Sequence, residues 1–142
     1  MIIEVEDRYY KAAKQFSRIL AAVEQAAKRG DKLHEVEEMT WFGLIETGRE
    51  MIAGYIKKQE EEVTRPKVIE HEGKKLHRLR GRRTRPYVSA FGPTPFRRDV
   101  YAARETQRQE VVPLDAKLGM PEGNTSYLLQ KWSGTKMSLI HI

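Results

Sequence analysis

Apolar residues near the start of the chain recur at helical spacing. Phe16, Ile19, Leu20 and Val23, followed by Ala27, fall on one helix face among Ala, Lys, Gln and Arg residues that favour helix. Gly30 ends that pattern and Asp31 is placed to cap the next helix. Trp41, Leu44, Ile45, Gly48, Met51, Ile52 and Tyr55 then keep the i, i+3, i+4, i+7 rhythm. The pattern predicts two antiparallel helices joined by a tight turn, with Gly48 allowing close contact on the apolar face. Lys57 to Glu62 reads as a solvated helix end, because its three terminal glutamates oppose the helix dipole.

After Pro66 the texture changes to short strands and turns. Val68-Ile69 and Leu76 to Leu79 flank Glu72-Gly73, a hairpin turn, although Leu76 and Leu79 are out of phase for one strand face. A second hairpin runs from Arg85 to Phe91, turns at Gly92-Pro93-Thr94 and resumes at Phe96. Its return strand sets Phe96, Val100 and Ala102 on one side and Arg97, Asp99 and Tyr101 on the other; Arg98 shares the Phe96 side and is expected to reach water at the sheet margin. Asp115 is placed to cap a single turn closed by Gly119 and Pro121. The segment from Ser126 to Trp132 reads as the opening of a third helix, with Thr125 or Ser126 as cap and Trp132 as core anchor. The expected class is α+β: a helical hairpin over 1–62, a basic antiparallel β region over 63–120, and the start of a helix with a divergent tail over 121–142.

Composition narrows the chemistry. The chain has 142 residues, of which 39% are apolar, enough for a modest core. With no cysteine it has neither disulfides nor thiolate metal ligands, and His34, His71, His77 and His141 are too scattered to make a zinc cluster by spacing. No cofactor or metal is expected. Glu4, Glu6 and Asp7 stand where a signal peptide needs apolar residues, and no stretch approaches a membrane span, so a cytoplasmic, nucleoid-associated protein is expected.

Charge separates the two halves. Residues 1–62 carry ten Lys/Arg against thirteen Asp/Glu, whereas residues 63–142 carry sixteen against seven. Nine of those cations lie between Gly73 and Arg98, where there is no Asp or Glu: Lys74, Lys75, Arg78, Arg80, Arg82, Arg83, Arg85, Arg97 and Arg98. Since the segment supplies no carboxylate to neutralise them, these nine are expected to face outward as a cationic ribbon for the phosphates of duplex DNA.

The order of motifs adds a family. Phe91-Gly92, Phe96-Arg97-Arg98, Tyr101, Pro113-Leu114-Asp115, Leu118-Gly119-Met120-Pro121 and the run from Ser126 to Trp132 resemble the N-terminal region of ISKra-type bacterial insertion-sequence transposases. Leu44 to Glu50 resembles the Gly-Arg-Glu helix that precedes the basic strands of that family. The resemblance covers roughly residues 33–132 and implies a DNA-binding region of a transposase. Some relatives carry paired cysteines where this chain has Glu105-Thr106-Gln107-Arg108. The family's catalytic domain, resembling the RNase H fold, would follow Trp132, and the ending SGTKMSLIHI does not look like it, so a truncated, non-catalytic fragment is expected.

The remaining acids of the basic half are Glu70, Glu72, Asp99, Glu105, Glu110, Asp115 and Glu122, and none forms a recognisable two-metal constellation. Two other readings stay open. The helical pair is a candidate homodimer surface through Trp41, Leu44, Met51 and Tyr55, which would make the chain a protein-interaction module. Tyr87 and Phe91, beside arginines, are candidates for stacking on RNA bases.

Overall fold

The computed structural model describes residues 5–103 and 111–134, arranged as an α+β protein of two compact units, Met1–Tyr55 and Ile56–Ile142. Glu105 to Arg108, Glu110 and the tail from residue 135 lie outside the described residues.

The first unit holds the helical hairpin, apart from the end of its second helix, which from Ile56 onward belongs to the second unit. A short 3-10 turn, Asp7–Tyr9, leads into α1 (Tyr10–Arg29), and α2 (Leu33–Glu62) follows after a tight turn. Gly30 takes the left-handed conformation (φ 73°) that only glycine adopts without strain, and Asp31 N–H returns to Ala26 O at 3.0 Å, closing the helix end. Asp31 is not the cap of α2. Its carboxylate is held by Arg29 at 2.8 Å, while Glu35 reaches back to accept the Lys32 N–H at 3.3 Å and so performs that function from inside the first turn.

The face by which the helices meet differs from the one the hydrophobic pattern picks out. In α1, Ile19 is buried and Phe16 and Val23 are half-buried as the pattern expects, but Ala12 and Ala26 complete the buried line, whereas Leu20 and Ala27 are exposed. In α2 the inward line is Val36, Thr40, Gly43, Thr47 and Gly54, a seam of small side chains. Thr40 and Thr47 donate their hydroxyls to the carbonyls of Val36 (2.7 Å) and Gly43 (2.9 Å), so the seam carries no unsatisfied hydroxyl. Trp41, Leu44, Met51 and Tyr55, predicted to pack inward, are exposed instead. Close backbone approach is the reason. A Cβ at Gly43 would stand 2.7 Å from Ile19 Cγ1, and one at Gly54 would stand 2.5 Å from Tyr9 Cδ1 and 2.8 Å from the Arg8 carbonyl oxygen. Contact at that distance admits only a narrow line of small residues, and the bulky stripe beside it is left outside.

In the second unit β1 (Val68–His71) and β2 (Lys74–Arg78) form the first hairpin in the register Ile69 to Leu76, across a turn in which Glu72 (φ 51°) and Gly73 (φ 77°) are both left-handed. The second hairpin is nested and broken into short pieces. β3 (Arg83–Arg85) pairs with β6 (Phe96–Arg98), and β4 (Val88–Ser89) pairs with β5 (Gly92–Pro93), so the chain turns at Ala90-Phe91 and the expected turn residues Gly92 and Pro93 are instead paired in the return strand. β7 (Tyr101–Ala102) then returns to pair with β2, giving the order β1-β2-β7. Leu79 lies beyond the end of β2 and donates to Val100 O at 2.9 Å, which resolves its phase conflict with Leu76: the strand ends between them and both are buried. Asp99 and Val100 interrupt the return strand in the same way, so Val100, Tyr101 and Ala102 are all buried and the predicted single alternation stops at Arg98.

Leu79, Val100 and Ala102, with Val112 packed against them, form one core cluster of the second unit, where Ile56, Leu76, Phe96, Tyr101 and Leu114 are also buried. Helix α3 (Pro113–Leu118) has Pro113 in its first turn and closes on Gly119 (φ 65°). The N-cap is Val112; Asp115 sits inside the first turn and does not cap it. Helix α4 (Tyr127–Gly134) is capped as expected by Ser126, whose Oγ accepts the Leu129 N–H at 3.1 Å. Trp132 is 41% exposed and is therefore not the predicted core anchor. Backbone bonds tie this end to the sheet, through Val88 N–H to Asn124 O (2.8 Å) and Ser126 N–H to Val88 O (3.0 Å).

The small-residue seam makes a counterintuitive substitution informative. Gly54→Ala raises helix propensity by about 1 kcal/mol, yet it is expected to lower the stability of the hairpin by roughly 1–3 kcal/mol through overpacking against Tyr9 and the Arg8 backbone. Thermal melts followed by circular dichroism measure it. Gly43→Ala is expected to cost less, since the end of the Ile19 side chain can swing away.

Candidate nucleic-acid interface

The basic segment is divided by the strands that carry it. In β3 and β6, Arg83 opposes Arg98 and Arg85 opposes Phe96, so these four share one face, while Thr84 and Arg97 share the other. The first face turns toward α3. Arg98 is 5% exposed, donating through Nε to Asp115 Oδ1 at 3.2 Å and through Nη1 to the Arg83 carbonyl at 3.1 Å. Arg85 donates to Asp115 Oδ2 at 2.7 Å and to the carbonyls of Pro121 (2.7 Å) and Gly123 (2.8 Å). One carboxylate therefore bridges two guanidiniums, and backbone carbonyls take further donors from each. The expectation that Arg98 reaches water is wrong for this reason: its partner arrives from 17 residues downstream.

A second network holds the start of the sheet. Arg65 grips Asp99 with two bonds, 2.6 Å and 3.0 Å, and Arg78 donates to the Arg65 carbonyl. Arg82 pairs with Glu60 and lies 3.9 Å from Asp99 Oδ2. The Arg65 guanidinium holds the Asp99 carboxyl below the usual carboxylate range, against the opposing effect of burial. Burial pushes the Tyr101 phenol up, helped by the nearby Asp99 charge, and that hydroxyl donates to Pro66 O at 2.6 Å. Lys58 and Lys117 lie 3.4 Å and 3.5 Å from Glu62 and draw its carboxyl down.

The nine cations thus separate into two groups. Arg78, Arg82, Arg85 and Arg98 are committed to internal partners, which departs from the expectation that all nine face outward. Lys74, Lys75, Arg80, Arg83 and Arg97 are exposed. Lys74 and Lys75 stand on β2, Arg80 stands in the turn after it, beside Gly81 (φ 66°), and Arg97 lies on the outer face of β6. Lys75 faces Glu70 across the ladder, which offsets part of its charge. Tyr87 and Phe91 are half-buried, and Tyr87 meets Phe96 edge to face at 6.3 Å, a packing contact that occupies one of the two proposed stacking rings.

Comparison with protein-family models, with curated proteins and with solved structures gives no match. Among the described residues no three acidic or imidazole side chains gather as a metal site, and no helix is long and apolar enough to cross a membrane. The residues that sequence reasoning missed are the acceptors, Glu60, Asp99 and Asp115. Asp115 is expected from the sequence as a helix cap and as part of the Pro113-Leu114-Asp115 motif, and no local spacing connects it with an arginine 30 residues away.

Removing the charge from the bridge should be severe. Asp115→Asn leaves two guanidiniums facing a neutral amide and is expected to cost about 3–5 kcal/mol, read as a lower denaturant midpoint. Asp99 supplies a pH dependence. Its folded pKa is depressed, so its contribution is complete above the ordinary aspartate value of about 3.9 and is lost as pH falls through the lower folded value. Asp99→Asn should flatten that part of the acid limb in melts recorded as a function of pH.

Proposed function

We propose that the second unit binds the backbone of duplex DNA through the cations left outside the two internal networks, and that it performs no catalysis of its own. The observation that carries this reading is the division of the basic segment. With Arg85 of β3 and Arg98 at the end of β6 neutralised from within, the hairpins still present Lys74, Lys75, Arg80 and Arg97 to solvent from short strands and a glycine turn. Phosphate contacts need mobile cations of this kind and no particular base geometry. The resemblance of the motif order to the N-terminal region of ISKra-type transposases supports the same reading, because a transposase has to hold the ends of its element. Association with the nucleoid would follow from such binding.

The absence of catalysis is supported by where the carboxylates are. Asp99 and Asp115 are engaged by Arg65 and by Arg85 and Arg98, and Glu60 is engaged by Arg82. A pair of divalent cations needs carboxylates free of guanidinium partners.

Fluorescence anisotropy with duplex DNA over a salt series tests the proposal. Log affinity should fall with log salt at about 0.9 per phosphate neutralised. Replacing Lys74, Lys75, Arg80 and Arg97 together by Gln should weaken binding to all sequences and reduce the slope by about one for each phosphate no longer neutralised. The fold should survive, since none of the four serves the internal networks. A flat salt response, or stronger binding to single-stranded RNA than to duplex DNA, would overturn the reading. In the same preparation, plasmid incubated with Mg²⁺ or Mn²⁺ should remain uncut; metal-dependent nicking abolished by Asp99→Asn would place an active site here.

A further inference from the structure

The helical hairpin has two unlike flanks. On one, Gln15 Nε2 donates to Glu46 Oε2 at 2.9 Å, and Arg18 and Arg49 line the same groove, so that flank is polar. At 100° per residue the opposite flank of α2 displays Trp41, Leu44, Met51 and Tyr55, with Gly48 buried between the two pairs, and the opposite flank of α1 displays Leu20. Trp41 is 63% exposed, and Leu20, Leu44, Met51 and Tyr55 are all exposed. With Gly48 counted, their spacing in α2 is three, four, three, four, the repeat by which one helix offers a continuous apolar seam to another. This seam is separate from the line of small residues already used against α1.

We propose that this flank pairs with the same flank of a second copy of the chain, α2 against α2 in antiparallel alignment, with the twofold axis at Gly48. The seam itself points to this occupant, because it reads nearly the same in both directions from Gly48: an aliphatic side chain three or four residues away (Leu44, Met51) and an aromatic one seven residues away (Trp41, Tyr55). A twofold interface has to be self-complementary, with residue i on one copy meeting j on the other and j meeting i. Antiparallel alignment meets that condition. It sets Trp41 against the second copy's Tyr55 and Leu44 against its Met51. A foreign helix would impose no such symmetry on the seam.

Charge selects the same direction. Glu37 lies four residues before Trp41, and Lys58 lies three residues after Tyr55. Antiparallel pairing brings each Glu37 toward a Lys58 of the other copy, whereas parallel pairing stacks like charges on each other at both ends. Two hairpins joined in this way make a four-helix arrangement that covers the apolar flank of both. The pairing uses none of the cations assigned to DNA.

Sedimentation equilibrium of the full chain over a concentration series provides the test. The wild-type chain should dimerise reversibly. Leu44→Lys and Met51→Glu should each weaken the dimer by more than about 100-fold, since the symmetry buries each unpaired charge twice. Combined in one chain, the two substitutions should restore the dimer, because residue 44 faces residue 51 of the other copy; an equimolar mixture of the two single variants should form a heterodimer. Circular dichroism verifies that the helices persist. Should either variant lose its helices, the lack of native cysteine allows a second route: Trp41→Cys mixed with Tyr55→Cys should cross-link faster than either alone. A chain that stays monomeric at every concentration, a dimer indifferent to both single substitutions, a double variant that remains monomeric, or cross-linking that is fastest for one cysteine variant alone would each overturn the proposal.

Discussion

A single carboxylate, Asp115, held between the guanidiniums of Arg85 and Arg98, is the interaction on which the second unit depends. The strands around it have two or three residues each, too few for ladder hydrogen bonds to hold a sheet together. The bridge supplies what the ladder lacks. It fixes the inner face of β3 and β6 against α3, and the Arg85 bonds to Pro121 and Gly123 extend the hold to the chain that enters α4. A charge group so poorly exposed is tolerable because each guanidinium meets both the shared carboxylate and a backbone carbonyl. Disturbing any one member therefore exposes the others to an unpaired, desolvated charge.

The same economy separates structural from available charge. Arginine suits the inner positions because its planar fork bonds a carboxylate and a carbonyl at once, and lysine suits β2, where the side chain projects into water. A strongly basic segment thus serves two purposes without a change in composition: its inward cations replace the hydrophobic bulk that a chain of this size lacks, and its outward cations set the surface potential. Substituting arginines by number alone would mix the two effects, and loss of binding would be indistinguishable from loss of fold.

Much of the architecture was legible in the sequence. Gly30, the Glu72-Gly73 turn, Gly119 and the Ser126 cap all act through local backbone geometry, which short-range spacing reports, whereas the second hairpin turns at Ala90-Phe91, before the glycine and proline expected to make its turn. The packing face of α2 was not legible, because hydrophobicity marks where large apolar side chains lie, whereas the helices meet where small ones let the backbones approach. Nor was the burial of Arg85 and Arg98. Those positions look solvent-facing until the acid that neutralises them is known, and it arrives from a different element. Trp132 failed in the opposite sense, as a large ring that the described part of the unit does not cover.

The nested hairpin also has a kinetic meaning. Its pairings run outward from one tip, with Ser89 to Gly92, then Arg85 to Phe96, then Leu79 to Val100, then His77 to Ala102. Once the tip has closed, each later pairing joins segments that the previous one has already brought together, so only a short additional loop must be immobilised at each step. The two ends of the basic segment can thus be drawn together as a zipper closes, without a long search through the unfolded chain for a distant strand.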